Sequence, residues 1–356
     1  MLAPSSQYAA RWRGNLLGLF AVLCFSPDAA LVQLIEPHRT PQGTVNAALT
    51  IMCWKTGFSG VLNLIAAVVL DGGLRPLLDG LRSGPGHVLL ATLFQCTNQI
   101  GFTMSFLLAD PAIALLLISL NPLWAALLGW LTLGEALPCR TIVALLVALL
   151  SLAVVFFPEL VPSAGAIQSD PGAGSSVGTA FALGTGLSVA LYITVVRHAA
   201  TRCPKASMSA SAGLGALAAA LLATAATALR DASVLKGLDA KFWLYSGLDA
   251  LTVAVAYVLQ NLALRLITGT ELALILLLQV ALGPLFVYLV VGVAPAFWTV
   301  LGGSLLLAVL ALNELAGMRA ERAAVATPPD AHADYYEPID APISAPTSPS
   351  KWALAD

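Results

Sequence analysis

Ten apolar runs, each 19 to 25 residues long and almost free of charge, recur along this chain. They lie at 14–35, 46–70, 87–108, 111–133, 140–158, 178–199, 206–229, 242–264, 270–291 and 295–316. A hydrocarbon core about 30 Å thick takes about 20 apolar residues per helix, so each run can cross a bilayer. The runs are continuous, as in Ala114–Leu120 and Leu272–Leu278, where a β-barrel would alternate apolar and polar residues. The expectation is an all-α integral membrane protein with ten transmembrane helices.

Composition excludes most other classes. Of 356 residues, 58% are hydrophobic and 10% charged, against about 25% charged in soluble domains. A water-soluble enzyme could not cover so much apolar surface. The net charge is −2 and no basic run is long, so nucleic acid is not an expected partner. The five cysteines are scattered, with neither a disulfide framework nor zinc spacing. No metal and no cofactor are expected.

Lysine and arginine placement sets the expected orientation. With the N-terminus inside, the inner segments hold eleven basic residues: Arg11, Arg13, Arg75, Arg82, Arg140, Arg197, Arg202, Lys205, Arg265, Arg319 and Arg322. The outer loops hold four, Arg39, Arg230, Lys236 and Lys241. Both termini are therefore expected in the cytoplasm, in a plasma membrane or endomembrane. Five units follow: a cytoplasmic N-terminal segment (1–13), a first five-helix half (14–158), an outer Gly/Ser/Pro linker (159–177), a second half (178–316) and a polar tail (317–356). The tail's prolines and polarity read as disorder. Tyr336-Glu337-Pro338-Ile339 fits a sorting signal, and Thr327-Pro328 and Ser348-Pro349 fit kinase sites. Expected partners are thus a small-molecule solute, the lipid bilayer, sorting or kinase proteins, and a second copy of the chain.

The fourth and ninth runs repeat. At an offset of 158, Leu120, Leu127, Leu131, Gly134, Ala136 and Thr141 match Leu278, Leu285, Leu289, Gly292, Ala294 and Thr299. Five spans per half would give the halves opposite orientations, an inverted repeat of the kind used for alternating access. The segment PLWAALLGWLTLGEAL (122–137), followed by an apolar helix, resembles the fourth and fifth helices of an EamA-like domain of the drug/metabolite transporter superfamily. LGPLFVYLVVG with APAFWTVLGGSLLLAVL (282–310) resembles it in the second half. The resemblance covers about residues 14–316. It implies ten helices, inside termini, transport of small metabolites, and a central path lined by helices 1–4 and 6–9. The family often has Gly-Glu after its fourth and ninth helices. Gly134-Glu135 keeps it and Gly292-Val293 does not; Gln279-Val280 stands where many relatives have Glu-Pro.

Polar groups within hydrocarbon are costly and mark candidate sites. Asp28 and Lys55 fall at matching depths on adjacent spans, about 12–14 Å below the outer surface, so an ion pair is expected. Asp28, Lys55 and Asp249 are the gating or coupling candidates. Lys55, Gln95, Asn98, Asn121, Tyr257, Gln260, Asn261 and Gln279 are the substrate-binding candidates. Amides and phenols suit a neutral or zwitterionic solute, while interhelical glue is the competing role. Pro27 is expected to kink its helix and free a carbonyl. Gly57-Phe58-Ser59-Gly60 has the form of an intramembrane serine hydrolase motif, but that chemistry needs a base, and His38, His87, His198 and His332 all fall outside mid-span. The leading expectation is a non-enzymatic secondary transporter or facilitator. The alternatives are a hydrolase using Ser59 and a non-transporting scaffold or receptor.

Overall fold

The computed structural model describes residues 4–35, 44–108, 111–134, 139–157, 176–203, 205–230, 238–292, 294 and 297–326. The described chain is helical, with no strand among the described residues. Its helices are α1 (Pro4–Phe25), α2 (Asp28–Ile35), α3 (Thr44–Leu70), α4 (Leu74–Ser83), α5 (Pro85–Leu108), α6 (Pro111–Ile118), α7 (Asn121–Leu128), α8 (Cys139–Val155), α9 (Ser176–Arg202), α10 (Met208–Ala228), α11 (Ala240–Ala263), α12 (Gly269–Leu276), α13 (Leu278–Val291) and α14 (Phe297–Ala326). A wider π-type turn, Gly129–Leu133, extends α7.

Among the described residues, seven stretches are long and apolar enough to cross a membrane: Ala9–Val32, Leu49–Leu70, Ala114–Leu133, Val177–Arg202, Met208–Ala228, Ala240–Ala263 and Gly269–Val290. Cys139–Val155 and Phe297–Asn313 are shorter apolar helices. Gln95, Thr97, Asn98 and Gln99 dilute the apolar run of α5, which keeps that helix out of the set. The surface agrees with lipid as solvent. On α10, Ala, Ser and Gly face inward, while Leu221 is 70% exposed and Leu222 53%. Small residues inside and large aliphatic residues outside let helix backbones approach closely where lipid, not water, surrounds them.

Three spans are broken. Ser26 and Pro27 separate α1 from α2, because proline has no N–H to continue the ladder. Ser119 and Leu120 separate α6 from α7, with Pro122 in the first turn beyond. Leu277 separates α12 from α13. Around the last two breaks the bonds tighten to three-residue steps, Leu120 N–H to the Leu117 carbonyl at 3.3 Å and Leu277 N–H to the Leu274 carbonyl at 3.1 Å. A β-carbon on Gly186 would lie 3.1 Å from both the Leu117 and Ile118 carbonyls. Glycine there lets α9 press against the α6–α7 break.

Packing is mostly between early and late helices. α1 lies on α11, α3 on α10, α5 on α9 and α10, α8 on α14, and α11 also on α2 and α3. α9 packs on α6 and α7, and α13 packs on α2.

Two boundaries differ from expectation. α1 starts at Pro4, where proline suits the first helical position and SSQYAARWR follows. α14 continues to Ala326, ten residues past the expected end at 316, because GMRAERAAVA is rich in strong helix formers. The stretch 71–86, expected as a loop, contains α4. It is amphipathic, with Leu74, Leu77, Leu78 and Leu81 set against Arg75, Asp79 and Arg82. Glu135, Val293, most of the 159–177 linker, His38, His332 and the tail motifs at 327–349 lie outside the described residues.

Candidate functional site

Each broken span begins its second half with a polar residue. Asp28 opens α2, Asn121 opens α7, and Gln279 is the second residue of α13. A helix N-terminus carries unpaired N–H groups and a partial positive charge. The breaks therefore bring three such ends, each with a hydrogen-bonding side chain, into the interior of the bundle.

The charged candidates meet. Lys55 on α3 donates to the Asp28 carboxylate, and its ammonium also lies 3.4 Å from one carboxylate oxygen of Asp249 on α11. Asp249 is 0% exposed, and neither of its oxygens has a hydrogen-bond partner. One cation thus serves two carboxylates. A buried charge is stable only when paired and hydrogen-bonded, and Asp249 has the proximity without the bond.

The neutral candidates form a second, adjoining layer. The Asn98 amide donates to the Tyr257 hydroxyl at 3.4 Å. Tyr192 donates to Asn261 Oδ1 at 2.9 Å, and the rings of Tyr192 and Tyr257 meet edge-on at 6.3 Å. Tyr257 also sits edge-on to Phe25, 5.0 Å between centroids. Gln279 Nε2 donates at 3.5 Å to the Phe25 carbonyl, the chain end just before the Pro27 break. Asn98, Tyr257, Asn261 and Gln279 are thereby joined across α5, α11 and α13 by way of α1 and α9. Phe25 precedes Asp28 by three residues, so this layer lies directly against the charged cluster.

Gln95, one turn before Asn98 on α5, is 0% exposed, with neither amide atom in hydrogen-bond geometry with any group. Asn121 is buried with its Oδ1 unpartnered, and Gln260 is buried beside Asn261; no hydrogen bond ties either residue to the layer among the described residues. Thr97 lies outside the layer. It bonds Ser188 at 3.2 Å on a largely apolar groove of about 350 Å³ between α5 and α9. Trp54, Phe58 and Trp243 cluster beside Lys55 in tilted and edge-on contacts, with the Trp54 and Trp243 centroids 4.6 Å apart.

Some contacts gave less sequence signal. Arg11 donates to Glu271, and Glu271 closes a capping box with Thr268 at the start of α12. That box was legible in the order Thr-x-x-Glu before an apolar run; its arginine was not. His87 and His198 bond ring to ring, Nε2 to Nδ1, at 2.9 Å. Their planes differ by 18° and their centroids lie 5.1 Å apart. The rings therefore lie nearly coplanar and end to end, joined by one N–H···N bond. Ser59 is buried, and its Oγ has no hydrogen-bond partner.

No known family pattern matches the chain, and no curated protein matches it. Among solved structures, 28 chains match. One, described only as "Crystal structure of protein", superposes with a TM-score of 0.68 at 19% identity, over 86% of this chain and 98% of its own. This similarity speaks to the fold alone.

Proposed function

We propose that this chain is a secondary transporter or facilitator of a small neutral or zwitterionic metabolite, working by alternating access between two inverted five-helix halves. The observation that carries this reading is that three spans break inside the bundle, each with a polar side chain at the start of its second half, and that the break at Asp28 adjoins the buried Lys55 and Asp249. Half-helices of this kind bind solutes near the midplane of transporters.

The packing supports the two-half plan. Count ten spans in chain order, with α1–α2, α6–α7 and α12–α13 as single spans and α4 as a surface helix. The main contacts then pair 1 with 8, 3 with 6, 2 with 7, and 5 with 10. Advancing each number by five, cyclically, turns 1–8 into 6–3 and returns 2–7 and 5–10 to themselves. The lesser pairings 4–6 and 9–1 exchange in the same way. The breaks add to this, since Ser119 and Leu277 stand at the repeat offset of 158. The EamA-like resemblance points the same way. Cytoplasmic termini follow from the basic residues, and tail-binding proteins and a second copy of the chain remain proposed partners.

A single buried lysine, itself paired to carboxylates, favours solutes without strong negative charge, because phosphate recognition calls for several cationic donors. An amino acid, nucleobase or polyol fits the layer of amides and phenols. The test is exchange in proteoliposomes with a panel of labelled amino acids, nucleobases and polyols. Saturable exchange of one class, lost in Asn98→Ala and Asn261→Ala, supports the reading; no exchange across the panel counts against it.

The hydrolase reading has less support. Ser59 Oγ lacks a base in hydrogen-bond contact, and the two described histidines bond each other. Failure of a serine-directed fluorophosphonate to label Ser59 would remove it. A scaffold has no need of unpartnered buried amides, each costing about 1–3 kcal/mol.

A further inference from the structure

We infer that Asp249 carries an exchangeable proton in this conformation, and that Lys55 moving from Asp28 to Asp249 releases it as the ion coupled to solute movement. The inference deepens the transporter reading and rests on it for its coupling half.

The argument is one of charge and hydrogen bonding. α11 packs on α1, α2, α3 and α10, so the groups facing Asp249 can be enumerated. α2 contributes Asp28 and α3 contributes Lys55. α10 contributes no titratable side chain. α3 also carries Cys53, which meets Thr224, α1 contributes Cys24, and α11 itself contributes Tyr245 and Tyr257. Lys55 is the one cation among these described groups, and Asp28 takes its hydrogen bond. With both carboxylates ionised the cluster would hold one uncompensated negative charge inside the bilayer. Asp249 would be that charge, with the Lys55 ammonium 3.4 Å from one oxygen but no hydrogen bond to either and no exposed surface. A neutral carboxyl removes the excess with a single proton.

The exchange balances simply. When Lys55 swings to Asp249, the O–H bond of Asp249 breaks, the bonding pair stays on oxygen, and the proton passes first to the newly freed Asp28, whose side chain is 17% exposed and hands it on to water, where the resulting carboxylate is solvated. The ammonium then pairs the new carboxylate. One proton moves for each transfer of Lys55, and nothing is oxidised or reduced.

The test reads the proton directly and needs no solute. Infrared spectra of the purified full-length protein in nanodiscs at pH 7 should show the carbonyl band of a protonated carboxyl, since exposed carboxylates are ionised there. The band should vanish in Asp249→Asn. It should also vanish in Asp28→Asn, where Lys55 is free to pair Asp249. If Asp249→Asn does not fold, Asp249→Glu must shift the band. Absence of the band in the wild type, or a band that neither Asp249 variant alters, overturns the inference. In wild-type proteoliposomes, an inward proton gradient should drive accumulation of whichever panel solute exchanges. Exchange indifferent to that gradient overturns the coupling role. The band with no exchange of any panel solute sustains the protonated carboxyl and counts instead against the transporter reading.

Discussion

Gly134 and Gly292 both end their helices in the left-handed conformation, at φ 65° and 82°, and stand 158 residues apart. Gly134 donates its N–H to the Gly129 carbonyl and Gly292 to that of Tyr288. Each would place an added β-carbon in open space, so the cost of alanine is backbone strain alone. That cost is about 1–2 kcal/mol for an L-residue in this region. Gly134→Ala and Gly292→Ala should therefore destabilise alike, read by reversible unfolding in mixed micelles. Gly247→Ala is the control. Gly247 lies within α11 with nothing near its missing β-carbon, and alanine there should be neutral or stabilising by about 0.5–1 kcal/mol.

Removing the cation should hurt more than removing either acid. Lys55→Met strands the Asp28 carboxylate beside Asp249 with no cation, and breaking a buried pair costs about 3–5 kcal/mol. Asp28→Asn leaves Lys55 with Asp249 already 3.4 Å away, so its loss should be clearly smaller. Unfolding in mixed micelles ranks the two. Equal losses would mean that Asp249 does not serve Lys55 as a second partner.

What the sequence disclosed and what it withheld divide on physical lines. Asp28 and Lys55 could be matched because each sits alone in an apolar run, where its depth follows from counting residues at 1.5 Å each. Asp249 was visible as a charge, but its approach to Lys55 depends on how α11 packs on α3, which no local pattern encodes. The amide layer was legible as a set of residues, while its order, with Tyr192 bridging to Asn261, depends on helix rotation. Pro27 announced its break. The break at Leu277 has no proline beside it, and only its offset from Ser119 relates it to the other half. The α4 helix was masked by its own charges, which read as a polar loop until their spacing is placed on one face.

Close packing between helices should be intolerant of single methyl groups at identifiable glycines. An added β-carbon at Gly215 would lie 2.6 Å from Gln95 Cβ and 2.8 Å from the Thr92 carbonyl. One at Gly302 would lie 2.7 Å from the Ser151 carbonyl. Backbone cannot yield as a side chain can, so both alanine variants should lose about 1–3 kcal/mol. Gly57→Ala, whose nearest neighbour would be 3.7 Å away, should be tolerated. Gly215→Ala should also impair exchange in proteoliposomes, because it pushes on Gln95.

His87 and His198 tie α5 to α9 by a single in-line bond. A double-mutant cycle with His87→Ala and His198→Ala should give a coupling of about 1 kcal/mol, the net worth of one hydrogen bond. A coupling indistinguishable from zero would reduce the pair to a contact of shape.

Glu271 holds two jobs that substitution can separate. Its carboxylate accepts from Arg11 across the bundle and, at 3.2 Å, from the Thr268 backbone N–H in the capping box. Glu271→Gln keeps an acceptor for the cap and removes the charge. Glu271→Ala removes both. The difference between the two variants isolates the cap and should be about 1 kcal/mol. Arg11→Gln should match Glu271→Gln, and the pair should be non-additive in a cycle. This end of the bundle is also where Arg197 donates to the Leu264 carbonyl at 2.9 Å and where His198 meets His87. Loosening Arg11–Glu271 therefore frees one of two side-chain links between early and late helices at this end, the other being His87–His198. If that end must part during transport, Glu271→Gln should raise thiol labelling of the half-buried Cys203, which lies beside His87 across Gly84. Unchanged labelling with reduced stability would assign Arg11–Glu271 to folding alone.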